Sequence, residues 1–275
     1  FGDGENATAT LTPTHTYAST GSYLVTLTVT DDDGAVGSDT LSVQVTTPTA
    51  TAATGDPLVG AGSLVEATGA DITMRNEVLA LTIAKVYQDA QLTPTGLGHV
   101  IDALPKGRLD GLDWVKVGLI EPTRTEGANA WDVKTVNYAT VSITSAGPAH
   151  ASVVADGTYT LDTGVKVTTT YDLDPLDRFV KITTVLTNQT VTPVSFSFGD
   201  VLDYDGPSQQ SYIPGVGYVT GSATATAQPL ERWMGMWSGG PEPESFALLY
   251  QNPVTVHATA SWTKASYPVA LAAGA

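Results

Sequence analysis

Two stretches of the chain hold side chains whose types and spacing could do chemistry. In FGDVLDYDGPSQQSY, Asp200, Asp203 and Asp205 precede Gly206 at what reads as the end of a strand. Three carboxylates this close could converge on one cation. Calcium takes oxygen ligands in flexible loop geometry, and it is the ion such a set suits. The competing reading is an Asp-rich turn, because the spacing is not that of an EF-hand and aspartates in turns bond their own backbone. In ERWMGMWSGG, an extended backbone puts Trp233 and Trp237 on one face about 13 Å apart at ~3.3 Å per residue. Gly235 would leave the gap between them open. Sugar rings present patches of C–H that stack on aromatic faces, so this pair is the candidate ligand-binding site for a polysaccharide or other glycan. Trp114, Trp131 and Tyr212 could join it. The alternative is that both indoles are core, since Trp is heavily buried on average, with Met234 and Met236 on the other face.

Histidine gives less. His99 sits with Asp102, Asp110, Asp113, Glu121, Arg124 and Glu126 in the densest polar region, residues 99–126. It is the one weak candidate for catalysis, against the plainer reading of a solvated loop. His150 and His257 stand alone in strand-like runs. P-loop, nucleophile-elbow and zinc-protease motifs are absent from the sequence. Asn6-Ala-Thr8 and Asn188-Gln-Thr190 are glycosylation sequons by pattern only.

The elements that must position these residues read as strands. Tyr23, Val25, Leu27 and Val29 alternate with polar neighbours, DDDG at residues 31–34 supplies turn chemistry, and Leu41, Val43 and Val45 alternate again, which makes a hairpin. Residues 47–57 show no apolar period and read as a Thr/Pro/Ala linker. Beyond it, Leu79, Leu81 and Ile83 alternate, although a helix face would also fit that region. Val165, Val167, Thr169 and Tyr171 run one way, and Val180, Ile182, Thr184 and Leu186 run back. Val194, Phe196 and Phe198 follow as a third strand of an antiparallel meander.

Bulk properties narrow the classes. The net charge of −16, from 28 acidic residues against 12 basic, repels phosphate, so nucleic acid and anionic lipid are excluded as expected partners. No apolar run reaches the roughly 18 residues of a membrane span. The absence of cysteine removes disulfides, thiolate metal sites and Cys nucleophiles. Together with the Thr-, Ala- and Gly-rich composition, it fits a secreted or cell-surface prokaryotic protein.

FGDG at residues 1–4, HTY at 15–17 and GSYLVTLTVTDDDG at 21–34 together resemble the polycystic-kidney-disease (PKD) repeat, an immunoglobulin-like β-sandwich module. The likeness runs from Phe1 to about Val45. It implies an N-terminally truncated module, since the family's first strands should precede FGDG. The missing edge could then be supplied by strand addition, a route to self-association. In that reading the DDDG turn and His15 are structural. A second likeness, over residues 70–205, is to the galactose-mutarotase-like supersandwich of carbohydrate-active enzymes. It is carried by GPA at 147–149 and by DRFVKITTVLTN at 177–188, and it implies a carbohydrate context.

The expected architecture is all-β. A partial PKD sandwich occupies 1–46, the linker 47–57, and a larger antiparallel, supersandwich-like sandwich 58–275. Three functions fit: a carbohydrate-associated module with a PKD spacer, a structural cell-surface, S-layer or filament subunit, and a carbohydrate-active enzyme.

Overall fold

The computed structural model describes residues 1–10, 12–55, 71–83, 100–105, 114–120, 133–159, 164–203, 209–221, 223–238, 244–260 and 262–275. Two units divide the chain, Phe1–Pro48 and Thr49–Ala275. The described residues contain strands and turns but no α-helix, so the fold is all-β.

The first unit is built on β1 (Gly21–Thr30) and β2 (Val36–Val45), paired antiparallel from Gly21↔Val45 to Thr30↔Val36. The turn between them is made by Asp31. Its carboxylate accepts the amides of Asp33 and Ala35 at 3.1 and 2.7 Å, while Gly34 takes the left-handed φ of 86°. An Asx turn of this kind satisfies backbone donors without a partner strand. The motif residues of FGDG and HTY meet in one aromatic run. Phe1 stacks on His15 at 4.1 Å, His15 meets Tyr17 edge-on at 4.5 Å, and Tyr17 stacks on Tyr23 at 4.2 Å. The Tyr17 hydroxyl donates to the Phe1 carbonyl at 2.8 Å, and His15 Nε2 lies 2.6 Å from Asp3 Oδ2. Gly2, at φ 92°, leaves no room for a Cβ, which would stand 2.7 Å from the Leu24 carbonyl oxygen.

In the second unit the strands are β3 (Thr51–Thr54), β4 (Ile72–Arg75), β5 (Leu79–Ile83), β6 (Val100–Pro105), β7 (Trp114–Ile120), β8 (Val133–Ala146), β9 (Ala151–Tyr159) and β10 (Val165–Leu173). They continue as β11 (Lys181–Asn188), β12 (Val194–Asp203), β13 (Gln209–Ile213), β14 (Gly217–Val219), β15 (Ala225–Ala227), β16 (Trp233–Ser238), β17 (Glu244–Leu249), β18 (Thr255–Ala258) and β19 (Trp262–Leu271). A large antiparallel sheet runs β11-β10-β9-β8-β7-β12-β19-β18-β15, with β3-β4-β5-β6 joining it at β7. A smaller sheet runs β14-β13-β16-β17, and its β13 and β16 lie against β18 and β19.

The expected pairing of 165–173 with 181–188 is present, with Val167↔Leu186, Thr169↔Thr184 and Tyr171↔Ile182. Val165, Val167, Thr169, Tyr171 and Leu173 form one fully buried row, as the period of two dictates. The meander expectation fails at its third strand. β12 pairs not with β11 but with β7 and β19, strands far away in sequence. Residues 79–83 form a strand and not a helix face.

The linker expectation also needs correction, since Thr51–Thr54 within 47–57 pair with β4 from Thr51↔Arg75 to Thr54↔Ile72. Ala50 and Ala52 are buried, and the Ala50 amide donates to the Pro148 carbonyl at 2.8 Å. Gly147 makes room for this segment, because a Cβ there would stand 2.0 Å from the Ala50 carbonyl oxygen. Small side chains let the strand pack close, and the same smallness hides it from an apolar-period reading.

Candidate functional site

The smaller sheet sorts its side chains by face. Register pairs set Ser211, Val219 and Met236 on one side together with Met234 and Ile213, all of them buried. Phe246 and Leu248 of β17, opposite Met236 and Met234, pack against the same core. The alternate residues therefore face outward. They are Tyr212 of β13, Tyr218 of β14, Trp233 and Trp237 of β16, and Leu249 of β17. Trp233, Trp237 and Tyr212 are half-buried, while Tyr218 is 60% and Leu249 78% exposed. The methionines, not the indoles, supply the core.

Within that face the aromatic rings form a row across the strands. Tyr212 stacks on Trp233 with ring centroids 5.2 Å apart and planes 18° from parallel. Tyr218, its register partner in β14, meets Tyr212 edge-on at 5.0 Å. Offset-parallel and edge-on arrangements are the ones the aromatic quadrupole favours. The gap at Gly235 is not open, as the sequence implied. The Trp233 ring lies over it, with Cζ3 3.1 Å from where a Cβ at 235 would be. The row thus runs Tyr218, Tyr212, Trp233, with Leu249 directly opposite Trp233 on β17. Trp237 shares the face and pairs in register with Gln210. Tyr218 was missed in the sequence, although the alternation in GYV, read against that of QQSYI, would have placed it beside Tyr212.

The carboxylate set takes a different shape. Asp200 lies inside β12, not in a loop, with Ala265 and Val117 as register partners. It continues the row Val194, Phe196, Phe198, facing Leu271, Val269 and Tyr267 on β19. Burial pushes its carboxyl up to about 6, against a smaller opposing pull from the Tyr250 hydroxyl. The residue as a whole keeps some accessible surface, so the enclosure belongs to its carboxyl end. Tyr250 and Tyr171 are each raised well above the ordinary phenol value, first by burial; nearby charge adds to this, including that of Asp200. Asp203 ends β12, and Asp205 and His99 lie outside the described residues. No group of three or more His, Asp or Glu side chains able to hold a metal comes together among the described residues. Trp114 begins β7 in the large sheet, and Trp131 lies outside the described residues.

The remaining histidines are held by neighbours. His150 bridges two carboxylates, with Nδ1 2.7 Å from Asp174 Oδ1 and Nε2 3.2 Å from Asp172 Oδ1. His257 is buried, its Nδ1 2.8 Å from Thr226 Oγ1. The sequon residue Asn188 is fully buried, and its amide donates to the carbonyls of Thr192 and Ala272 at 2.8 and 2.9 Å.

Residues 1–47, which hold the aromatic run and the Asx turn of the first unit, match the family model of the PKD domain. The match does not extend to residues 70–205, where the supersandwich likeness rests on strand pattern alone. No curated protein matches the chain. PKD domains occur in extracellular proteins, and no helix among the described residues is long and apolar enough to cross a membrane.

Proposed function

We propose that the chain is a carbohydrate-associated β-sandwich module of a secreted or cell-surface multidomain protein, with its PKD domain as a spacer. The observation that carries this reading is the outward row Tyr218, Tyr212 and Trp233 on the smaller sheet, with Trp237 on the same face. Half-exposed rings held in place by their neighbours lose little conformational freedom on binding, and rigid aromatic anchors are effective for that reason. They offer flat apolar faces to the C–H patches of sugar rings. The test is a glycan-array and polysaccharide-retention measurement on the intact chain, with circular dichroism to show it folded. Retention that falls in Trp233→Ala with the fold intact supports the reading, and a folded chain that retains nothing overturns it.

Assembly is the second reading, and a specific observation favours it. The β1–β2 hairpin leaves Leu27 and Val29 60% exposed and Leu41 65% exposed, an apolar face able to meet another copy or a neighbouring module. Sedimentation over a range of concentrations tests it: growth of the mass toward polymers supports assembly, and a constant monomer mass removes it.

A further inference from the structure

The smaller sheet is almost free of charge in a chain that carries −16. Its strands QQSYI, GYV, WMGMWS and ESFALL contain one ionisable acid or base outside the tyrosines, Glu244. The aromatic row is flanked by one acid and one base, Glu231 and Arg232, both exposed, and one guanidinium N–H of Arg232 donates to the Gln251 carbonyl. The four strands themselves contain no lysine or arginine, so Arg232, offset by the neighbouring Glu231, is the cation nearest the row in sequence. The long-range field of the acidic chain repels any polyanion that approaches. The face itself offers neutral partners for hydroxyls, Gln210 and Ser245, beside the rings.

We infer that the ligand of this face is an uncharged polysaccharide, not a uronate or sulfated one, bound across the strands along Tyr218, Tyr212 and Trp233. This rests on the carbohydrate reading above and narrows it to a ligand class and a direction. Because Trp233 folds over Gly235, the contact surface continues sideways to Tyr218 rather than along β16. Tyr218 is therefore a contact residue, and Leu249 edges the row at its far side.

Affinity gel electrophoresis of the intact chain tests it, with glucomannan, xyloglucan and mixed-linkage glucan as neutral polymers and polygalacturonate and alginate as anionic ones. Retardation by a neutral polymer is expected, changing less than about twofold between roughly 0.1 M and roughly 1 M salt, where the Debye length shrinks from about 10 to about 3 Å. Tyr218→Ala and Leu249→Ala alter exposed side chains and keep the fold, and Tyr218→Ala should weaken retardation about three- to tenfold by removing one aromatic contact. Retardation only by the anionic polymers, or binding that vanishes at high salt, overturns this inference and leaves the broader carbohydrate reading standing. No retardation by any polymer, with the chain folded, overturns both. Retardation by neutral polymers that ignores Tyr218→Ala and Trp233→Ala alike overturns the placement of the site.

Discussion

The Asp200 carboxyl and the Tyr250 hydroxyl face each other inside the larger unit, each shifting the other's proton affinity. The Tyr250 hydroxyl is buried. Burial lifts Asp200 from 3.8 to about 6, which means that the native state prefers the protonated acid. Stability from this group is full below about pH 4 and is lost as pH rises through about 6. Asp200→Asn, neutral throughout, should match the wild type near pH 4 and exceed it near pH 8 by at most about 3 kcal/mol. Water reaching the accessible side of the residue reduces the gain. Urea denaturation across that range checks it; equal stabilities at pH 8 would mean that the carboxyl is solvated.

His150 has the opposite sign of charge and a different window. The hydrogen bond to Asp174 is the main cause that raises it above its ordinary value, with Asp172 adding to the effect against partial burial. A raised histidine stabilises fully below about 6.5, and that stability fades as pH climbs through the folded value. Its side chain is 44% exposed, so the effect is at most about 1 kcal/mol. His150→Gln should lower the melting temperature at pH 5.5 and leave it nearly unchanged at a pH above 8. A deficit that does not depend on pH would assign the role to packing.

Much of this was legible where a strand's partner lies next to it in the chain. The hairpin β1–β2 and the pair β10–β11 follow from alternation and a local turn, and so did the placing of both tryptophans on one face. Asp200 was legible on the same ground. The alternation Val194, Phe196, Phe198 extends to Asp200, so the same period that found the strand also put the acid in its core-facing row. What no local pattern could give is the partnership of β12 with β7 and β19, or the approach of Tyr250 to Asp200, because these depend on strands far apart in sequence. Thr51–Thr54 shows no apolar period in the sequence because alanine buries too little area to register as one.

Asn188 uses its whole hydrogen-bonding capacity. Its amide donates to Thr192 and Ala272, and its oxygen accepts the Thr190 amide and hydroxyl at 3.0 and 2.7 Å. These bonds fasten the end of β19 to the turn between β11 and β12. Asn188→Ala deletes a fully buried side chain together with these four hydrogen bonds and should cost about 1–3 kcal/mol. Asn188→Asp should be no milder, since it replaces both donors with acceptors. Chemical denaturation of the two variants checks this, and a loss below about 1 kcal/mol would show that water replaces the amide.

Two glycines separate a structural contact from one that serves the aromatic face. A Cβ at Gly199 would stand 1.8 Å from the Ala265 carbonyl oxygen and 2.7 Å from Ser266 Cα, both backbone atoms of the paired strand β19. Neither can yield without breaking the ladder, so Gly199→Ala should cost more than about 3 kcal/mol or prevent folding. At Gly235 the nearest atoms are the Phe246 carbonyl oxygen at 3.0 Å and Trp233 Cζ3 at 3.1 Å, and a half-exposed indole can turn aside. The Phe246 oxygen, a backbone atom of the paired strand β17, must also give by a few tenths of an ångström, so Gly235→Ala should cost about 1–2 kcal/mol, less than Gly199→Ala. It should nevertheless shift the tryptophan fluorescence and weaken retention on a neutral polysaccharide, because the added methyl pushes Trp233 out of its stack on Tyr212. Full retention with a displaced indole would show that the row, as built around Trp233, is not the contact surface.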